Sequence, residues 1–239
     1  MKMFSLCQRE LSTAFRRPVA YVVIMAFVAL CGLYTFSLHP FFVIGRVTVR
    51  PLFDFIPFAL AFFVPAVAMG LIAEERRSGM LELLQTWPLG DGHLVLGKYL
   101  GALVLIGISL GLTLPIPIVV AWMGPLDWGP VFAGYLGMLL LSAAYLSLGL
   151  VASASCRSQI VAFIIGFMLC FGFYVLGKAG TWLPAEFAAW PDFLSFERRV
   201  SGFVTGVIDL RDVVYFLAVS ICGVGLSAEV LNRRRWRDS

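Results

Sequence analysis

Residues 99–123 read YLGALVLIGISLGLTLPIPIVVAWM and contain no Asp, Glu, Lys, Arg or His. The hydrocarbon core of a bilayer is about 30 Å thick, and a helix of roughly 20 residues crosses it. The stretch is apolar on every side, whereas the strands of a transmembrane barrel alternate apolar and polar residues. We therefore predict that it crosses a membrane as a helix.

Five more apolar runs of similar length occur, at residues 19–38, 55–73, 130–154, 160–176 and 213–231. Hydrophobic residues make up 60% of the sequence and charged residues 13%, which is too little polar surface for a water-soluble domain. The sequence predicts one domain, residues 1–239, that is an all-α polytopic membrane protein with six transmembrane helices.

Residues 1–17 combine apolar and polar residues at helical spacing, as in an amphipathic helix at a membrane surface. Pro18 suits the first turn of the helix that follows. The first apolar run exceeds an ordinary signal core, and no small-residue cleavage site follows it. We expect an N-terminal interface helix and then a retained membrane anchor.

Basic residues indicate the orientation. With both termini in the cytoplasm, twelve of the 18 Lys and Arg residues lie inside. This asymmetry follows the positive-inside rule, so the net charge of +4 reflects topology and implies no nucleic-acid partner. We expect a multi-pass protein of the bacterial cytoplasmic (inner) membrane that contacts lipid.

Catalytic and cofactor motifs are missing from the sequence. His39 and His93 are the only histidines, and no two cysteines form a C-x-x-C pair. Residues 92–98 have the Gly and Lys spacing of a P-loop, but Tyr99 stands where Ser or Thr would bind magnesium. We expect no enzyme, metal or nucleotide site in this chain, and we expect Lys98 to extend to the membrane surface.

The loop between the second and third runs is the most informative. Residues 73–92 read AEERRSGMLELLQTWPLGDG, in which Ser-Gly and Pro-Leu-Gly isolate a short helix. That helix could dock on a soluble partner, or it could be a connector whose apolar side rests on lipid. Between the fifth and sixth runs, residues 178–212 are rich in aromatic residues, prolines and charges, which predicts short interfacial or re-entrant helices on the outside.

The loop resembles that of the ABC-2 type permeases of ATP-binding-cassette exporters, and in particular their gliding-motility subclass. There it reads approximately AEERRSGTLELL, followed by a proline and later by GK. This chain matches at residues 73–79, 81–84, 88, 97 and 98, and departs at Met80. Further similar stretches are residues 10–11, 18–23, 127–130, 135–137, 159–162, 201–202, 206–212 and 215–216, while Cys156 and Ser158 replace the usual Thr and Asn.

The resemblance implies a permease driven by two separate ABC ATPase subunits, which hold the ATP and Mg. The second permease would be another copy of this chain or a related subunit with an accessory outside domain. The implied function is export of an unidentified cargo; the alternative is mechanical work in motility or assembly, with no cargo crossing. The coupling residues in loop 74–92 would be Glu74, Glu75, Arg76, Arg77, Gly79, Leu81, Glu82, Leu83, Leu84 and Pro88.

The predicted topology can be tested by thiol labelling. In a cysteine-free background, we expect Gly90→Cys and Trp190→Cys to react with an impermeant maleimide from opposite sides of the membrane, because the positive-inside asymmetry places residues 74–92 inside and 178–212 outside. Labelling of both variants from the same side would refute the topology.

Overall fold

A computed structural model of the chain describes residues 18–38, 48–77, 91–179 and 195–238. Within these residues the chain is helical and contains no strand. The elements are α1 (Pro18–Leu33), which continues as a π-helical turn (Tyr34–Leu38), α2 (Arg50–Arg77), α3 (Asp91–Gly111), α4 (Pro115–Met123), α5 (Trp128–Ser155), α6 (Gln159–Ala179), α7 (Phe196–Val204) and α8 (Leu210–Asp238).

Six helical stretches of the described chain are long and apolar enough to cross a membrane. They are Ala20–Ser37, Arg50–Arg76, Gly92–Met123, Trp128–Ser155, Gln159–Lys178 and Leu210–Arg233. The predicted all-α fold with six transmembrane helices is confirmed. The predicted interface helix at residues 1–17 and the short helix within residues 78–90 lie outside the described residues.

The third span consists of two helices. A turn at residues 112–114 separates α3 from α4, since Pro115 has no N–H to continue the helical hydrogen bonds. Thr113 is fully buried in this turn; its hydroxyl donates to the carbonyl of Leu110 at 2.7 Å and lies 2.9 Å from the Tyr135 hydroxyl of α5. The polar groups at this break in the helix therefore have hydrogen-bond partners within the bundle, as they need in lipid.

Successive spans alternate in direction, so the bundle has two ends. The end of α2 meets the start of α3 through Glu75 and Lys98, and we call this side the Lys98 end. The start of α8 meets α7 through Arg199 and Asp212, and we call this side the Arg199 end.

Helix α5 is the centre of the bundle, and 18 of its 28 residues are buried inside the protein. Small residues allow its neighbours to approach closely, as is common between helices in lipid. A Cβ on Gly149 would lie 2.6 Å from the Cβ of Ala68 in α2, and one on Gly137 would lie 2.7 Å from the Cβ of Phe203 in α7. Neither position has room for a side chain unless a neighbour moves.

Helix α7 lies within the segment 178–212, and its N-terminus is inserted into the bundle. Phe196 stacks on Phe173 of α6 at 4.6 Å and also contacts Phe216 of α8. Phe173 and Phe216 each lie six residues inside the ends of their helices, about 9 Å at 1.5 Å per residue. Helix α7 ends beside Gly206, which packs against Pro130 in the first turn of α5, so α7 runs from inside the bundle toward the Arg199 end.

Two ion pairs hold α7 in this position. Arg199 Nη1 lies 2.8 Å from Asp212 Oδ1 of α8, and its guanidinium group lies 3.9 Å from the centre of the Tyr215 ring. Lys178 Nζ of α6 lies 3.1 Å from Glu197 Oε1. The backbone turns from α7 into α8 at Gly206, whose φ of 89° is in the left-handed region that favours glycine.

The close contact at Gly149 generates a stability prediction. We expect Gly149→Ala to lower the free energy of unfolding by about 1–3 kcal/mol, because the added methyl group overlaps Ala68 and forces α2 and α5 apart. Gly172→Ala on α6 is the matched control, since its Cβ would have no neighbour within 4 Å. Thermal unfolding of both variants in detergent measures the effect; equal melting temperatures would contradict it.

Candidate functional site

The candidate site is the Lys98 end, where α2 ends and α3 begins on either side of residues 78–90. Glu74, Glu75, Arg76 and Arg77 form the last turn of α2. The other predicted coupling residues lie outside the described residues: Gly79, Leu81, Glu82, Leu83, Leu84 and Pro88. The structure therefore shows how the two ends of the predicted coupling loop are held.

A buried ion pair joins these two helices. Lys98 Nζ in α3 lies 2.5 Å from Glu75 Oε1 in α2. The Lys98 side chain is 1% exposed and that of Glu75 is 15% exposed. A charge-assisted hydrogen bond between such groups fixes both distance and direction, so α2 and α3 are held in one relative position close to the loop.

The expectation that Lys98 extends to the membrane surface is therefore wrong. Lys98 is on a face of α3 that packs inside the bundle, so its ammonium group meets Glu75 instead of water. Residues 92–98 belong to α3, which differs from the loop conformation that a P-loop requires.

A second polar contact connects α2 to α5. The Ser153 hydroxyl accepts hydrogen bonds from the N–H groups of Ile72 at 3.3 Å and Ala73 at 3.1 Å. The same hydroxyl donates to the carbonyl of Met69 at 3.1 Å. Because the Ala73 N–H and the Met69 carbonyl are paired in a regular α-helix, Ser153 bridges two backbone groups of α2 immediately before Glu74.

A third contact completes the connection among the three helices. The Tyr99 hydroxyl of α3, next to Lys98 in the sequence, donates to the carbonyl of Ala143 in α5 at 3.1 Å. Around Ala73, which is fully buried, two small residues pack closely: Cys156 of the α5–α6 connection and Ala162 in the first turn of α6. The last turn of α2 is thus enclosed by α3, α5 and the start of α6.

We call Glu75, Lys98 and Ser153 the loop anchor. Glu75 was among the sequence-predicted coupling residues, whereas Ser153 was not. The partner of a serine in an apolar run cannot be predicted from the sequence, since serine hydroxyls in membrane helices commonly form hydrogen bonds with the backbone of their own helix. The only sequence signal for the ion pair was the placement of opposite charges on either side of the loop.

The described residues include no group of three or more His, Cys, Asp or Glu side chains placed to hold a metal ion. Of the five cysteines, Cys31, Cys156 and Cys170 are buried free thiols, and Cys222 is a free thiol on the surface of α8. The contacts described at the Lys98 end join α2 to α3 and to α5.

Comparison with known families identifies a family that matches most of the chain. Residues 46–190 match the family described as ABC-2 family transporter protein, which is more than half of the chain. The matched region includes α2 to α6 and therefore all three residues of the loop anchor. No curated protein matches the chain.

The buried ion pair makes a testable difference to stability. We expect Lys98→Ala to lower the free energy of unfolding by about 3–5 kcal/mol, because it leaves the Glu75 carboxylate partly buried without its cation. Arg233→Ala removes a comparable contact from the exposed Glu229–Arg233 pair of α8, where about 0–1 kcal/mol is expected. Unfolding in mixed micelles compares them, and a Lys98→Ala loss no larger than the Arg233→Ala loss would contradict the prediction.

Proposed function

We propose, since the chain belongs to the ABC-2 family of transporter proteins, that it is the permease subunit of an ATP-driven exporter. The family is a membrane component of transport and implies an ABC ATPase partner. We further propose that two ATPase subunits bind two permease chains at the cytoplasmic face of the bacterial inner membrane. Both termini of this chain would then be cytoplasmic, and ATP and Mg would be bound by the ATPase alone.

The loop anchor is the observation that supports this proposal. A permease without its own nucleotide site must receive work through contact with its ATPase. Such a contact transmits force only if the segment that makes it is attached firmly to the membrane helices. At the Lys98 end, both helices that lead into residues 78–90 are fixed by a buried ion pair, and α2 is also bonded to α5.

The predicted short helix within residues 78–90 is the proposed point of contact. Its sequence places Leu81, Leu83 and Leu84 beside Glu82, between the Ser-Gly break and Pro88. Apolar side chains in a cytoplasmic loop have little reason to face water unless a partner covers them. In this proposal Leu83 and Leu84 enter the ATPase surface, and the charges of residues 74–77 surround the contact.

A mechanical role is the second candidate function. It is supported by sequence similarity to gliding-motility permeases at residues 127–130 and 206–212. In this role the same ATP-driven motion would serve motility or assembly outside the membrane, and no cargo would cross. Genes next to this one distinguish the two roles, since a large outside accessory protein favours the mechanical one.

Association with the ATPase tests the proposed function. We expect Leu83→Asp or Leu84→Asp to leave the permease inserted but to weaken ATPase binding by about 2 kcal/mol or more, as loss of a central buried contact does. Arg77→Ala, at the edge of the contact, is the control and we expect a much smaller effect. Pull-down of the co-expressed neighbouring ATPase and its stimulated hydrolysis provide the measurements, at matched membrane expression.

If both leucine variants keep wild-type association and stimulation, residues 78–90 are only a connector. The loop would then lie on lipid, as the alternative interpretation of its sequence allows.

A further inference from the structure

We infer that Glu75, Lys98 and Ser153 are positioning residues that pass the motion of the coupling loop to α5, and through α5 to helix α7. This inference rests on the proposed function, because it concerns what happens after the ATPase moves residues 78–90. It adds two residues, Lys98 and Ser153, for which no coupling role was predicted from the sequence.

Contacts with α3 and α5 restrict how the end of α2 can move. Glu75 ties this turn to α3 through Lys98, and Ser153 ties the preceding turn to α5. If residues 74–77 are displaced, either these contacts break or α3 and α5 move together with the end of α2. The Ser153 hydroxyl uses its donor and accepts two hydrogen bonds in this one contact, and the side chain is fully buried.

The second step concerns why the contact is ionic. Replacing a buried ion pair by apolar residues of similar volume is often neutral or even stabilising. Stability alone therefore gives little reason for a lysine that is 1% exposed. An ion pair differs from apolar packing in being directional, because the ammonium and carboxylate groups must stay at hydrogen-bonding distance. Lys98 and Glu75 thereby prevent α2 from sliding along α3.

The third step follows α5 to the opposite end of the bundle. Helix α5 is continuous from Trp128 to Ser155, and α2 packs tightly on it at Gly149. Near the Arg199 end, Gly137 leaves no space between α5 and Phe203 of α7. A close-packed contact of this kind transmits displacement, since protein interiors have few voids to absorb it. Motion received at Ser153 is in this way delivered to α7.

The experiment measures a response at the far end of α5. Trp128→Cys, in a cysteine-free background, places a thiol at the first residue of α5, where the side chain is 43% exposed. The permease is reconstituted in nanodiscs with its co-purified ATPase. Maleimide labelling of this thiol is then timed without nucleotide and after trapping with ATP and vanadate. For the chain that carries Trp128→Cys but no substitution in the loop anchor, we expect trapping to change the labelling rate about fivefold or more. A factor of about five is at the low end of typical coupling between two sites.

Two sets of variants distinguish a positioning role of the loop anchor from a contribution to the stability of the bundle alone. Glu75→Leu combined with Lys98→Met removes the charges but keeps apolar volume, so the bundle should still fold. Its matched control is Glu229→Leu with Arg233→Met, which removes an exposed ion pair from α8. Ser153→Ala removes the hydroxyl, and Ser153→Thr restores one. We expect the anchor double variant and Ser153→Ala to lose at least half of the labelling change, while the control and Ser153→Thr retain it.

ATPase pull-down is measured on every sample, and the anchor variants should bind the ATPase as the parent does. A full labelling response in the anchor double variant or in Ser153→Ala overturns the inference and leaves the proposed function intact. If the double variant does not accumulate, the comparison of Ser153→Ala with Ser153→Thr decides. A parent chain that neither captures the ATPase nor responds to nucleotide overturns the proposed function and this inference together.

Discussion

A lysine ammonium group buried among membrane helices needs an opposite charge within hydrogen-bonding distance, because an unpaired charge there costs several kcal/mol. In this protein Glu75 meets that requirement for Lys98. The pairing joins the last turn of α2 to α3 near the start of that helix. It also fixes the two points from which residues 78–90 begin and end. The helix ends that flank residues 78–90 are therefore joined by a contact inside the bundle.

The number and type of membrane spans could be predicted because they depend only on local composition and on the thickness of the bilayer. How these helices pack could not be predicted in the same way. Gly107 and Gly111 of α3 have the G-x-x-x-G spacing that is common at helix contacts in lipid, yet a Cβ on Gly111 would have no neighbour within 4 Å. Close contacts between helices occur instead at single glycines, such as Gly137 and Gly149 of α5. These positions need glycine because Phe203 and Ala68 lie directly opposite them, and both are distant in sequence.

At the candidate site, too, some features follow from local sequence and others depend on how the helices pack. Charges in residues 74–77 and the breaks at Ser78 and Pro88 are local signals, and they identify the loop. Lys98 was misinterpreted because a lysine near a helix end can either extend to water or pair inside, and only the position of Glu75 decides between them. Ser153 gave no signal at all, since its function depends on the backbone of α2 some eighty residues earlier. Residues that act across helices are predictable only when their partners are known.

Export and a purely mechanical role place different demands on this architecture. In both proposed roles motion would pass from the Lys98 end to the Arg199 end, and α5 contacts α2 near one end and α7 near the other. Helix α7 is held by ion pairs to α6 and α8, and its inserted Phe196 is completely buried. Withdrawal of α7 would open space between the helices, which export requires. Movement of α7 as a unit with α5 and α8 would keep that space closed and still displace the outer surface, which is sufficient for mechanical work. The two roles therefore diverge at the ion pairs of Lys178 and Arg199, while the loop anchor serves both.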